Sequence, residues 1–374
     1  MRTTSTISVA LVLALAFAFA VPIPATADVV AGPAPGPMPA AIGRTLYVTN
    51  SATESGDANI TRFAVNADGT IRPVDTVAAG HGARGMAITP GRRFAYVAAS
   101  NANEINGYRI GPDGSLSRFA TVPTDSPIGI VTSPDGHTLY VANQAAKSVT
   151  VFGVQRDGTL MRRATVSLGP DSPSPKDIAV TPDGRFLYIG LGVLGEDGPA
   201  MLTGLAIGAG GIPGRQVARA ELGQFSGEVL TTPDGRFLYV VCTDTDDIFG
   251  YRIGRDGQLT PVSHLPAGDR AEGAAISPDG RLLFVAGAAL ADTGGPITGF
   301  TIGSDGALTP AGTPILLRTP AAVAFSRDGR HLYATDFETH NIITFDVARD
   351  GRLTTVQTQS SGGVQPAFQA ITVL

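Results

Sequence analysis

The sequence predicts an all-β fold, a seven-bladed β-propeller made of four-stranded antiparallel blades. Three features predict it: a short apolar strand with an aromatic residue recurs seven times, a Pro-Asp-Gly turn precedes most copies, and an Asp-Gly or Gly-Gly turn follows each copy. The composition agrees, because 47 glycines and 27 prolines in 374 residues supply many turns without a collagen-like period. The chain is therefore expected to be globular and rich in hairpins.

The aromatic strands define the repeat. They read LYV, AYV, LYI, LFV or LYA, and their aromatic residues lie 44 to 51 positions apart. These residues are Tyr47, Tyr96, Tyr140, Tyr188, Tyr239, Phe284 and Tyr333. A period of this length is typical of propeller blades, and we expect the seven aromatic side chains to belong to the blade cores.

Two turns in each repeat predict two hairpins and therefore four strands. The first turn has the form Ser/Thr-Pro-Asp-Gly, as at 181–184, where proline presets φ and glycine supplies a positive φ. The second is an Asp-Gly pair such as Asp256-Gly257 between alternating apolar runs, which is a strong hairpin signal. Four strands in each of seven repeats match the blades of a propeller.

The two ends of the chain indicate how the ring closes. The first aromatic strand, at 45–50, lacks the innermost strand that precedes the other six. The C-terminal segment 365–374 resembles the innermost strand at 319–326, including its proline. We therefore expect the C-terminal strand to join the N-terminal blade, so that backbone pairing removes two open sheet edges.

The N-terminus predicts export. Residues 1–27 contain Arg2, an apolar run and the Ala25-Thr26-Ala27 cleavage pattern of a signal peptide. Residues 28–41 are rich in proline, glycine and alanine and predict a linker, which leaves 42–374 for the propeller. We expect a secreted, extracellular or wall-associated monomer with no membrane insertion after cleavage; an uncleaved N-terminal anchor is the alternative.

Several classes of function are excluded or disfavoured. The absence of tryptophan excludes WD-type propellers, and the absence of a basic block disfavours nucleic-acid binding. The single cysteine, Cys242, forms no internal disulfide, and no HxH or HExxH spacing supports zinc, so we expect neither cofactor nor metal. Acid-rich loops such as 244–247 leave calcium open, although a solvated rim is the simpler interpretation. His137 and His331 are predicted to face solvent in hairpin turns.

A cluster of charges marks a candidate site. The innermost strands of a propeller begin at one mouth of the central channel, where several blades contribute side chains. Aligning these strands on their terminal Ser or Thr places five charged residues in two neighbouring columns: Arg84, Lys176, Asp177, Glu228 and Glu272. His81, Arg270 and Gln369 stand nearby. Burying such charges is costly unless they pair or meet a ligand, so they predict either a polar small-molecule site or an ion-pair ring around a water-filled channel.

The repeated motifs resemble a known family. The strand LYVTN at 46–50, the stretch LYVANQAAKSVTVF at 139–152 and the signature S/T-P-D-G-R-x-L-Y are similar to YVTN-type propellers of the bacterial seven-bladed lactonase family. That family includes propeller 6-phosphogluconolactonases and carboxymuconate cyclases, and the resemblance extends over residues 42–374. The Asn-Glu pair that often follows the YV strand in the family is missing here, as at Thr49-Asn50.

The resemblance implies a metal-free site that opens or closes a lactone with Arg, His and Glu side chains. In this chain the catalytic roles would fall to Arg84, His81, Glu228 and Glu272, and the ligand-binding roles to Lys176, Asp177, Arg270 and Gln369. The substrate would be a lactone or small carboxylated compound, and the enzyme a lactonase-type hydrolase or cycloisomerase. The alternative is a non-catalytic extracellular propeller that recognises a protein or a cell-wall component.

Overall fold

A computed structural model describes residues 44–51, 58–192, 198–289 and 294–374, and the predicted signal peptide (1–27) and linker (28–41) lie outside the described residues. The described residues contain 28 strands in seven four-stranded sheets, which confirms the predicted seven-bladed propeller. In this part of the chain, no helix is long and apolar enough to cross a membrane.

Each blade runs outward from the channel as an antiparallel meander, and the blade of the N-terminus has the order β28-β1-β2-β3. The strands, in chain order, are β1 Thr45–Asn50, β2 Asn59–Val65, β3 Ile71–Ala78, β4 Ala83–Ile88, β5 Phe94–Ala99, β6 Glu104–Ile110, β7 Leu116–Pro123, β8 Pro127–Thr132, β9 Thr138–Asn143, β10 Ser148–Val154, β11 Leu160–Ser167, β12 Pro175–Val180, β13 Phe186–Leu191, β14 Met201–Ile207, β15 Pro213–Glu221, β16 Ser226–Thr231, β17 Phe237–Cys242, β18 Asp247–Ile253, β19 Leu259–Pro266, β20 Ala271–Ile276, β21 Leu282–Gly287, β22 Gly295–Ile302, β23 Leu308–Leu317, β24 Pro320–Phe325, β25 His331–Asp336, β26 Asn341–Val347, β27 Leu353–Ser360 and β28 Pro366–Val373.

The repeated tyrosines join neighbouring blades. All six are buried, as predicted, and each hydroxyl donates a hydrogen bond to the carbonyl of the hairpin glycine in the next blade. Tyr188 reaches Gly257 O at 2.8 Å, for example. The buried phenol thereby finds the partner that its hydroxyl requires, and the recurrence of both tyrosine and glycine has one structural cause.

Gly257 shows how closely the blades approach one another. Its φ is +83°, and a Cβ there would lie 2.5 Å from Cε1 of the buried Phe186 ring. We expect Gly257→Ala to lower the free energy of unfolding by about 1–3 kcal/mol more than Gly210→Ala, because overpacking adds to the left-handed strain. Gly210 is a matched control, since its φ is +71° and a Cβ at this residue would have no neighbouring atom within 4 Å. Equal losses in urea unfolding would contradict this packing account.

The ring closes as predicted, through β28. This strand pairs antiparallel with β1, and Leu46 lies opposite Val373. The closing seam to the preceding blade carries the Tyr333 hydroxyl bond to Gly69 O at 3.2 Å. The Gln357 side chain adds two bonds to the backbone of Ile71, at 2.7 and 2.9 Å. The seam between the N-terminal blade and the preceding blade therefore carries the same tyrosine–glycine hydrogen bond as the seams at the other repeated tyrosines.

The register of β28 differs from the sequence alignment by two residues. Aligning the innermost strands on their terminal Ser or Thr predicts that Thr372 matches Ser326. In the structure Thr372 pairs with Tyr47, just as Ala324 pairs with Tyr333, so Thr372 matches Ala324. The pairing is irregular between Val48 and Asn50, where the eight-residue β28 accommodates extra residues that the six-residue β24 lacks. A slip of two keeps every side chain on the same face, so the apolar pattern cannot distinguish the two registers.

The prediction that His331 faces solvent is wrong. Its side chain is 12% exposed, and Nδ1 lies 2.9 Å from Asp346 Oδ1. His331 begins β25 at the position that Phe186 holds in β13, where the side chain packs on the hairpin glycine of the next blade, here Gly69. Arg330, not His331, occupies the turn position of this blade.

Candidate functional site

The innermost strands bring charged side chains to the channel through irregular pairing near their first residues. Each of the six innermost strands other than β28 pairs irregularly with its neighbour there. The irregularities fall between Ala83 and Met86, Pro127 and Ile130, Pro175 and Asp177, Ser226 and Val229, Ala271 and Gly273, and Pro320 and Ala322. Bulges of this kind re-aim side chains. Arg84, Lys176, Glu228 and Glu272 all stand within them.

Lys176 and Glu272 form a buried ion pair. Lys176 Nζ contacts Glu272 Oε1, and each residue is only 7% exposed. Thr243 Oγ1 donates to Glu272 Oε2 at 2.9 Å, and the Phe225 ring lies over the ammonium at 4.0 Å. Lys176 is on β12 and Glu272 on β20, so the pair passes the intervening β16. Its charges are neutralised and hydrogen-bonded within the protein, as the ion-pair interpretation predicts.

Asp177 and Glu228 each connect their own blade to the next one. Asp177 Oδ2 accepts the backbone N–H of Val229 at 2.8 Å, and Glu228 Oε2 accepts that of Ala274 at 2.8 Å. Both donors lie just beyond the bulge of the following blade, where regular pairing resumes. The two carboxyl groups therefore play equivalent structural parts at successive seams.

The surroundings of Glu228 favour its protonated form. Burial, followed by the negative charge of Asp177, raises the pKa of Glu228 to about 8, although the Ala274 amide and Lys176 oppose the shift. Protein surrounds the carboxyl closely, while part of the side chain remains accessible from the channel. Oε1 has no hydrogen-bond partner among the described residues. The raised pKa favours the protonated form of Glu228 at neutral pH, and the carboxylate that forms at higher pH can accept a proton.

Arg84 is the cation without a partner. Its Nε is buried and makes no hydrogen bond, and its guanidinium forms no ion pair within the described residues. Burial lowers the pKa of Arg84, and the charge of Glu272 partly opposes this effect. An arginine keeps its proton in proteins, so this site holds a partly desolvated positive charge. Such a group is poised to bind an anion or a carbonyl oxygen.

Two spaces meet at Glu228. A small cavity of about 160 Å³ is lined by residues of six innermost strands, among them Gly85, Asp177 and Glu228. A wider space of about 530 Å³, here called the wide chamber, lies at the other ends of β16, β20, β24 and β28 and is largely open to solvent. Glu228 lines both spaces, and the apolar lining of the wide chamber includes Leu230, Ile276, Val323, Phe325, Ile371 and Val373.

Three further residues were predicted to belong to the site: His81, Arg270 and Gln369. His81 precedes β4, and its backbone carbonyl accepts Ala102 N at 3.2 Å. Arg270 precedes β20; it donates its backbone N–H to Asp246 at 2.6 Å and directs its guanidinium to Asp244 at 3.5 Å, so its charge pairs with the loop that follows β17. Gln369 lies in β28, but its side chain is outside the described residues.

Sequence reasoning missed two residues of the site, Thr243 and Phe225. Thr243 directly follows the buried strand β17 and is itself fully buried. A polar residue at the end of an apolar run was the sequence feature that could have indicated its role. Phe225 has φ +55° just before β16, and an aromatic residue in a glycine-containing loop gave only a weak signal. Both residues act on the Lys176–Glu272 pair.

The acidic loops are largely occupied by the protein's own donors. Asp336 accepts the backbone N–H groups of Arg318 and Thr339 at 2.8 and 3.0 Å, and Glu338 pairs with Arg318 at 2.7 Å. In the described part of the chain, no three potential ligands come together as a metal would require. Three further acids of the acid-rich loops, Glu196, Asp197 and Asp292, lie outside the described residues.

Breaking the buried pair should be costly. We expect Lys176→Met to lower the free energy of unfolding by about 3–5 kcal/mol, because Glu272 loses its buried counter-ion. The double variant Lys176→Met/Glu272→Gln should regain most of this loss, since the amide keeps an oxygen for Thr243. Urea unfolding at pH 7 measures both values. A double variant no more stable than the single one would contradict the pairing.

The motifs and the architecture lead to one family. The family model for the lactonase, 7-bladed beta-propeller, matches residues 52–191, 212–289 and 286–372. The chain belongs to this family. No curated protein matches the sequence significantly.

Solved structures share the fold at low sequence identity. A candidate 6-phosphogluconolactonase from Bacteroides fragilis is 20% identical, with a TM-score of 0.75 over 90% of this chain and 99% of its own. The periplasmic gluconolactonase of Pseudomonas aeruginosa is 21% identical, with a TM-score of 0.71 over 88% and 99%. Hydrazine synthase from Kuenenia stuttgartiensis is 19% identical, with a TM-score of 0.62 over 81% and 95%. The same architecture therefore occurs in proteins with different names and chemistries, and the likeness shows the fold alone.

Proposed function

We propose that this lactonase-family propeller hydrolyses a small lactone in its central channel. The observation that carries the proposal is Glu228, a carboxyl whose pKa is raised to about 8 and which lines the small cavity. Arg84, a half-buried cation with no ion pair among the described residues, directly precedes Gly85, which lines the same cavity. Unpaired charge and a shifted pKa in a cleft are typical of catalytic groups. Lys176 and Glu272, by contrast, satisfy each other and hold the surrounding strands in place.

The chemistry follows from these two groups. Ionised Glu228 removes a proton from water as the water oxygen attacks the lactone carbonyl carbon. Arg84 stabilises the negative charge that develops on the carbonyl oxygen. The ring C–O bond then breaks, and the proton held by Glu228 passes to the leaving alkoxide. The product is a hydroxy acid, and no other reactant is needed.

The charges of the site favour a lactone without a phosphate group. Arg84 and Lys176 carry two positive charges, Asp177 and Glu272 carry two negative ones, and protonated Glu228 adds none. A phosphate dianion would meet only one unpaired cation, and ionised Glu228 would repel it. We further propose that the protein is secreted, because residues 1–27 have the pattern of a signal peptide.

A lactone panel tests this function. We expect the purified chain to hydrolyse δ-valerolactone and glucono-δ-lactone faster than buffer in a pH-stat at pH 8, and to prefer them over 6-phosphogluconolactone. Faster turnover of the phosphorylated lactone would contradict the charge argument. Failure of the folded protein to hydrolyse any of them would remove the enzymatic proposal and favour a propeller that binds a protein or a wall component.

A further inference from the structure

We infer that the lactone carries an apolar substituent, which occupies the wide chamber while the lactone ring occupies the small cavity. This inference rests on the proposed function of the channel and names its substrate class. Glu228 lines both spaces, so a ring placed against its carboxyl in the cavity can extend a substituent directly into the chamber.

The size of the small cavity suits a single ring. Its volume is about 160 Å³, and cavities of about 150 Å³ in proteins accept one benzene molecule. A five- or six-membered lactone therefore fills the cavity, and any longer substituent must lie elsewhere. The chamber, with about 530 Å³, is within the usual range of ligand pockets.

The lining of the chamber selects an apolar group. Leu230, Ile276, Val323, Phe325, Ile371 and Val373 all contribute to it, and the charged residues in its lining are Glu228 and Arg327. Where a polyhydroxylated substituent contacts these side chains, its hydroxyl groups would lose hydrogen bonds to water without regaining them, which is unfavourable. An alkyl substituent would instead remove apolar surface from water on both sides.

The strand register explains why space is left for such a group. In three of the innermost strands that line the chamber, one residue lies opposite the repeated aromatic residue of the neighbouring strand. This residue is Leu230 in β16, but it is an alanine in β20 and β24, namely Ala275 and Ala324. These two alanines line the chamber and are only partly buried. Their small side chains leave open the volume that an alkyl chain would fill.

A series of δ-lactones tests the inference. We expect kcat/KM to rise from δ-valerolactone through δ-hexalactone and δ-octalactone to δ-decalactone, by up to about fourfold for each methylene that becomes buried. Hydrolysis of δ-valerolactone with no gain for longer chains would overturn the inference and leave the proposed function intact. If no lactone is hydrolysed, calorimetric titration with the same series decides, and affinity that does not rise with chain length would overturn it.

A variant locates the substituent. We expect Ala324→Leu to lower the ratio of kcat/KM for δ-decalactone to that for δ-valerolactone at least tenfold, because the added side chain fills the chamber. Ala146→Leu, in an exposed loop, is the matched control and should leave the ratio unchanged. If Ala324→Leu fails to fold, Leu230→Ala enlarges the chamber and should move the optimum toward longer chains. An unchanged chain-length optimum in the folded variant would contradict the proposed position.

Discussion

A chain that ends at residue 364 should fail to accumulate as folded protein. The deletion removes β28 and leaves the N-terminal blade with three strands, so the inner edge of β1 loses its backbone partners. Leu46 and Val48, both fully buried, would become exposed, and the ring would lose its closing contacts. An open edge of this kind also invites aggregation.

The comparison of chains 42–364 and 42–374 measures this effect. Soluble yield and thermal melting followed by circular dichroism should show a cooperative transition only for the longer chain. The matched pair differs only in β28 and the residues that flank it. Equal yield and equal melting temperature would refute closure through the C-terminal strand.

Glu228→Gln should lower kcat/KM for lactone hydrolysis by about 10²–10⁴, the usual contribution of general acid–base catalysis. The amide keeps an oxygen that can accept the Ala274 N–H, so the seam between the two blades should persist. Glu221→Gln, on the exposed edge strand β15, is the control for charge removal and should retain full activity. A Glu228→Gln variant as active as wild type would exclude this carboxyl as the base.

Arg84→Met should separate catalysis from stability. Removing the cation should lower kcat/KM by about 10²–10³, because the developing oxyanion loses its positive partner. The free energy of unfolding should stay level or rise, since a half-buried charge that forms no ion pair is replaced by an apolar side chain of similar length. Loss of stability with unchanged turnover would favour a structural ion-pair ring.

The repeat predicted the architecture because turn chemistry and the aromatic strands are local features. Seven copies of the same pattern predict seven equivalent blades. The first copy lacks its innermost strand, and the C-terminal segment has the pattern of such a strand, so the two were predicted to pair. The register of β28 was not predictable, because a slip by two preserves the inward and outward faces of the strand. His331 was misplaced for a different reason: Arg330 takes the turn position of this blade, so His331 begins β25 and packs on Gly69.

The charged columns were visible in the sequence, but their partners were not. Lys176 pairs with Glu272 two blades away, because the innermost strands converge on the axis and long side chains can pass β16. The irregular pairing that re-aims these side chains has no sequence signature of its own. The pKa of Glu228 depends on burial and on Asp177 together, which only the three-dimensional arrangement reveals.

The pH dependence of kcat/KM for δ-valerolactone tests the central claim most directly. Because burial raises the pKa of Glu228 to about 8, the group is protonated and inactive as a base at lower pH. After subtraction of the buffer rate, kcat/KM should rise about tenfold per pH unit below that value and level off above it. The same plot for Glu228→Gln should show no such rise. A wild-type profile that is flat from pH 6 to 9, or one that Glu228→Gln reproduces, would contradict a catalytic carboxyl in the channel.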